Sequence, residues 1–225
     1  MRARSMLGVA LAVSLIALVV STCVLTATAA NSTGTTWKTA TVKAADLALQ
    51  YPSSWTQYPL TKKALAAQQR DVAKKNPHLA LNSERQARFL RANAFWAADL
   101  KSAYAGRFLS NISVVKGRSG TLPADLASFT SMIMKNFQQV LGVTILNTSA
   151  VRIKGKQRPG ESLNSYRVDL LASATKPDGS PVTGRVGQLY VPYKGGGADI
   201  VTITTTPDDA GVQLINRVLG SVSRI

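Results

Sequence analysis

SLNSYRVDLLASATKPDGSPVTGRVGQLYVPYKGGGADIVTITT, residues 162–205, is the stretch whose reading decides the fold. Three runs rich in β-branched and aromatic residues, Ser162–Thr175, Val182–Tyr193 and Asp199–Thr205, read as strands. Lys176-Pro177-Asp178-Gly179 and Gly195-Gly196-Gly197 separate them, and both have the chemistry of hairpin turns. Gly195-Gly196-Gly197 has no following Lys-Ser/Thr, so a hairpin explains it better than a phosphate loop. Thr144–Lys154 supplies a fourth strand immediately before. Strands joined this closely must run antiparallel.

Two amphipathic helices flank this block. In the first, Leu126, Phe129, Ile133, Phe137 and Val140 recur at helical spacing, Thr121 caps the start with Pro123 and Asp125 in the first turn, and Gly142 ends it. The last opens at Thr206-Pro207-Asp208-Asp209 and buries Val212, Ile215 and Val218/Leu219. Asp208 and Asp209 oppose the helix dipole there, and Asp209 completes a capping box with Thr206.

Upstream, Trp37–Lys43 and Leu47–Tyr51 read as strands, the second turning at Tyr51-Pro52-Ser53-Ser54-Trp55. Residues 61–92 change to helix formers: Lys62–Lys75, stopped by Asn76-Pro77, and a second helix opening at Ser83-Glu84-Arg85-Gln86 and carrying Ala87, Phe89 and Leu90. Ala94–Ala103 and Phe108–Lys116 read as two strands divided by a turn at Gly106. The fold class is therefore α+β, an antiparallel sheet flanked by helices.

The N-terminus carries Arg2 and Arg4, then no charged residue from Met6 to Ala30, which is an export leader. Three fates are open: cleavage after Ala29, retention as a membrane anchor, or lipidation of Cys23 within Val20-Ser21-Thr22-Cys23. Each puts the remainder outside the cytoplasm. Residues 1–30 are thus leader, 31–36 a polar linker, and 37–225 one extracytoplasmic α/β domain with a basic helical insert at 61–92. Cys23 is the only cysteine, so disulfide scaffolds and structural zinc sites are excluded.

The strand into Tyr51-Pro52-Ser53-Ser54-Trp55, the strand Asn111-Ile112-Ser113-Val114-Val115, the helix Leu122–Leu141, the hairpins Ser162–Thr205 and the closing helix together resemble the PsbP-like α/β sandwich. Envelope lipoproteins of the LpqN type share that architecture. Arg88–Asp99 (RFLRANAFWAAD) is similar to a helix-to-strand passage in secreted members of the same broad group. The resemblance spans roughly Trp37 to Ile225. It implies a non-enzymatic binding or assembly module, and it transfers no site residue.

A search for chemistry agrees. His78 is the sole histidine and has no ligand cluster around it. No G-x-S-x-G elbow is present. A hydrolase would have to use carboxylates such as Asp99 and Asp169 converging on one cleft. No metal and no cofactor are expected.

Charge is the strongest remaining signal. The chain holds 27 Lys and Arg against 11 Asp and Glu, a net +16. In the insert, Lys62, Lys63, Arg70, Lys74, Lys75, Arg85, Arg88 and Arg91 face only Asp71 and Glu84. Such a surface suits an anionic membrane surface, a wall polymer or an acidic envelope protein, and it equally fits a plain solvated helix face. Nucleic acid is not expected, since the leader carries the domain away from it and no stacking aromatics interleave the charges. Trp37, Trp55 and Trp96 lie on or beside strands and suit core packing. Alternatively, Trp55 and Trp96 line an apolar groove under the insert, for a small apolar ligand.

Overall fold

The computed structural model describes residues 36–75, 90–105, 107–117, 121–138, 140–155, 164–175, 180–193 and 197–225. The expected leader with Cys23, the expected helix from Ser83, His78, Arg85 and Arg88 lie outside the described residues.

In chain order the elements are β1 (Trp37–Val42), a 3-10 turn (Lys43–Ala45), β2 (Leu47–Pro52), β3 (Thr56–Gln57), α1 (Lys62–Lys75), β4 (Asn93–Ala98), α2 (Leu100–Tyr104), β5 (Asn111–Gly117), α3 (Leu126–Phe137), β6 (Val143–Val151), β7 (Ser165–Thr175), β8 (Pro181–Pro192), β9 (Ala198–Thr205), α4 (Asp209–Gly220) and β10 (Ser223–Arg224). They build a seven-stranded sheet in the order β3-β4-β5-β9-β8-β7-β6, with a three-stranded sheet β1-β2-β10 beside it. Every pairing within both sheets is antiparallel. The expected antiparallel α+β architecture is therefore present, with its strands divided between two sheets.

Because side chains alternate across a strand, the large sheet has two faces. Phe95, Ala97, Ile112, Val114, Leu189, Val191, Val201 and Ile203 point to one, where α4 and the small sheet cover them. Gly187 lets α4 approach: a Cβ there would run into the Ile215 side chain. The opposite face carries two separate clusters. Phe129, Ile133 and Phe137 of α3 pack on Tyr166, Val168, Leu170, Val186 and Tyr190. Leu65 and Val72 of α1 pack with Tyr58, Leu90, Trp96 and Leu100. Each such fully buried side chain contributes about 1.5–3 kcal/mol of transfer free energy.

Several expected boundaries shift, each for a local reason. The strand expected over Ala94–Ala103 stops at Ala98. Asp99 Oδ1 accepts from Ser102 N at 3.1 Å and starts α2 instead. Asp125, not Thr121, caps α3, taking Ser128 N at 2.8 Å. Phe129, Ile133 and Phe137 are buried as the periodicity requires, whereas Leu126 is exposed. Asp208 replaces Thr206 as cap of α4, accepting from Gly211 N at 2.8 Å, and Thr206 Oγ1 donates to that same carboxylate. Gly142 has φ +76, which favours glycine; it lies beyond α3, at the entry to β6, where Ser173 N donates to its carbonyl.

Candidate functional site

Helix α1 has the bounds that its sequence predicts, Lys62–Lys75. It holds to the sheet by two side chains one heptad apart, Leu65 and Val72, both fully buried. Everything that carries charge on it faces outward: Lys62, Lys63, Arg70, Lys74 and Lys75 are all exposed. At 100° per residue, Lys63, Arg70 and Lys74 fall within about 40° of one another, on the side opposite the Leu65/Val72 seam. Lys75 is set apart from this stripe. Its Nζ lies 2.9 Å from Asp71 Oδ2, which raises its pKa, and it sits 5.9 Å from the Tyr104 ring centroid. Both partners are more than half exposed, so solvent screens the pair and it adds little stability. Arg91, the one insert cation described outside α1, is half-buried.

Beneath α1 lies an aromatic floor. The Tyr58 and Trp96 rings meet edge to face at 4.3 Å, and the Tyr58 N–H donates to the Trp96 carbonyl. Burial, with Tyr104 close by, pushes the Tyr58 phenol well above its ordinary pKa, so it stays neutral. Trp96 Nε1 and the Tyr104 hydroxyl are buried and have no hydrogen-bond partner among the described residues.

Trp55 does not join this floor. It packs in the cluster on the other face of the sheet, among Tyr51, Phe95, Ala97 and Ile112. Trp55 and Trp96 thus belong to clusters on opposite faces of the sheet and, among the described residues, do not line one groove as expected. Trp37 is half-buried and has the Arg217 guanidinium 4.2 Å from its ring centroid.

What sequence reasoning missed is a buried polar row crossing the same face. Trp96, Ser113, Thr202 and Gln188 are partners in register on four neighbouring strands. Gln188 Nε2 donates to Thr202 Oγ1 at 3.4 Å, and the Tyr190 hydroxyl donates to Gln188 Oε1 at 2.9 Å. This row divides the α1 cluster from the α3 cluster. Its signal in the sequence was polar residues at a core parity in three strands: Ser113 beside Asn111 in β5, Thr202 beside Thr204 in β9, and Gln188 in β8.

The carboxylates do not converge. Asp99 is spent as a helix cap. Asp169 is buried and gripped by Arg167 through two contacts of 2.8 Å, with Arg167 also reaching Asn216 of α4. Four strand-to-strand steps separate β4 from β7, roughly 19 Å at the usual spacing. Among the described residues, no group of three or more His, Cys, Asp or Glu is placed to hold a metal ion. Nor is any described helix long and apolar enough to cross a membrane.

No family model matches the chain, and no curated protein matches it in sequence. Solved structures do. The solution structure of cyanobacterial PsbP (CyanoP) from Synechocystis sp. is similar at TM-score 0.46 and 12% identity, covering 88% of this chain and 98% of that one. The Saccharomyces cerevisiae Ran-binding protein Mog1p is similar at TM-score 0.47 and 8% identity, covering 85% and 96%. LpqN, involved in cell envelope biogenesis of Mycobacterium tuberculosis, is similar at TM-score 0.34 and 12% identity, covering 86% of each chain.

Proposed function

We propose that this protein is a non-catalytic binding or assembly module of the cell envelope, exported by its leader and docking through α1 onto an anionic surface. The observation that carries this reading is the outward stripe of Lys63, Arg70 and Lys74 on a helix whose one acidic residue, Asp71, is engaged by Lys75. Three cations on one rigid face present a field to headgroup phosphates without having to reorganise. Each basic residue close to such a surface contributes on the order of 1 kcal/mol, so removing three weakens binding by roughly two orders of magnitude. The test uses the full chain in neutral detergent micelles doped with phosphatidylglycerol. Replacing Lys63, Arg70 and Lys74 by Ser should abolish the salt-sensitive gain in affinity over undoped micelles. Equal binding by the wild type and the triple Ser variant would sink the proposal.

A second reading is favoured by two polar atoms under α1 that have no hydrogen-bond partner among the described residues. Trp96 Nε1 and the Tyr104 hydroxyl are both donors held in an apolar cluster. A small apolar molecule carrying one acceptor oxygen would satisfy either of them. Native mass spectrometry of the protein taken from cells tests this carrier role: an added mass lost in Trp96→Phe supports it, and a bare chain counts against it.

A further inference from the structure

The far end of the sheet has a different character. Among the described residues β6 is the terminal strand of the seven, hydrogen-bonded to β7 on one side only. It runs for nine residues, VTILNTSAV, without a charged side chain. Over the whole stretch from Leu126 to Val151, Lys135 is the one charged residue in a chain of net charge +16. The other outer strands are different: β3 and β10 have two residues each, and β1 carries Lys38.

Apolar side chains gather at this same end. Among the described residues five large hydrophobics are exposed, and four of them are here: Leu126 at 36%, Met134 at 54%, Leu141 at 95% and Leu146 at 43%. Leu146 is the bulged residue, where the register shifts between Ile145 and Asn147. Helix α3 lies alongside the strand, tied to it by Thr130 Oγ1 and Thr148 Oγ1 at 2.7 Å. Leu126, Thr130 and Met134 follow at four-residue steps along that helix, one stripe on one side.

An open edge of this length offers unpaired backbone donors and acceptors to another strand. Soluble proteins ordinarily protect such an edge with lysine, proline or a bulge. This one, despite abundant lysine elsewhere, has neither lysine nor proline, and its one bulge turns out an apolar side chain, Leu146. The charge distribution decides the occupant. An acidic partner is drawn to the cationic faces, whereas a second copy of this cationic chain is repelled by them. The neutral edge is where two copies can meet without opposing like charges, and an isologous contact needs only one such patch.

We propose that two copies of this chain associate through β6, strand to strand and antiparallel, with Met134, Leu141 and Leu146 buried around the junction. The inference does not depend on how α1 is used. Its salt dependence is the reverse of anionic docking. Raising salt shortens the screening length from about 10 Å at 0.1 M to about 3 Å at 1 M, which relieves repulsion between the two cationic bodies. Dimer formation should therefore strengthen with salt.

Sedimentation of the full chain in neutral detergent tests the idea, with the protein mass measured at low and high salt. The expected result is a dimer that becomes more populated as salt rises. Thr144→Lys with Ala150→Lys, both at exposed positions, should return it to a monomer with an unchanged circular dichroism spectrum. Hydrogen exchange supplies a second readout that requires no variant: β6 amides should slow as the protein concentration rises. A wild-type chain that remains monomeric at high salt and about 100 µM, where even a weak pair with Kd near 10 µM would assemble, overturns the proposal. So does a dimer that survives the lysine pair with β6 exchange unchanged.

Discussion

The two ends of the seven-stranded sheet are built on the same principle and finished in opposite ways. At each end a single helix covers one face, α1 over β4 and α3 over β7 and β6. Helix α1 is fixed by two buried side chains and presents five exposed cations. Helix α3 is fixed by three, two of them aromatic, and exposes apolar residues with one lysine. Five strand steps separate β4 from β6, roughly 24 Å, so at physiological salt neither end feels the other's charge. The difference teaches that one sheet can carry two independent surfaces, one cationic and one neutral and apolar.

The largest expected effect comes from the anchoring of α3. Phe129 stacks on Tyr166 at 4.4 Å and meets Tyr190 edge to face at 5.1 Å. Phe129→Ala should cost about 3–5 kcal/mol of global stability, read as a lowered denaturant midpoint at constant slope. A loss under about 1 kcal/mol would mean that the α3 cluster is not part of the cooperative core.

Leu65→Ala should cost less globally, about 2–3 kcal/mol. Its signature is local: amide exchange in α1 should accelerate while that in β7 and β8 does not. If both ends accelerate together, α1 is as integral as α3 and the contrast in anchoring is wrong.

A smaller effect is tied to pH. The Ser128 amide and hydroxyl, bonded to Asp125, lower its carboxyl below the ordinary 3.8. A folded pKa below the unfolded one means that the stabilisation is present above the unfolded value and fades as pH falls through the folded one. Stability of α3 should therefore drop as the solution is acidified below about pH 4. Asp125→Asn keeps a capping oxygen and removes the charge, so it should flatten that dependence. An unchanged acid limb in Asp125→Asn would assign it to other carboxylates.

The smallest effect is at the basic end. Asp71→Asn breaks the exposed pair with Lys75, and the unfolding midpoint should not move measurably. A clear loss would make Asp71 a structural residue and would undercut the view that α1 displays its charges outward.

Much of this was legible in the residues. The hairpins around 176–179 and 195–197 were marked by turn chemistry, and both bounds of α1 follow from helix formers ending at a proline. The stripe of Lys63, Arg70 and Lys74 also follows from the period of the helix. The short helix α2 was missed because Ala-Phe-Trp-Ala-Ala runs on into Leu100–Tyr104 with no glycine or proline to punctuate it. Asp99, three residues before Ser102, was the signal that a new cap begins. The opposite placement of Trp55 and Trp96 was not legible at all. Trp55 follows the turn at Pro52, and which layer receives it depends on how the small sheet sits on the large one. The neutral run before Arg152 was visible as composition, yet only the strand order makes it an outer edge.

One measurement weighs the two ends against each other directly: the amide-exchange map of the full chain with and without phosphatidylglycerol in neutral micelles. Docking through α1 predicts new protection across residues 62–75 that disappears at high salt, with β6 unaffected by the lipid. Protection that appears at β6 instead, or that is indifferent to salt, would contradict the assignment of the basic end as the anion-binding surface.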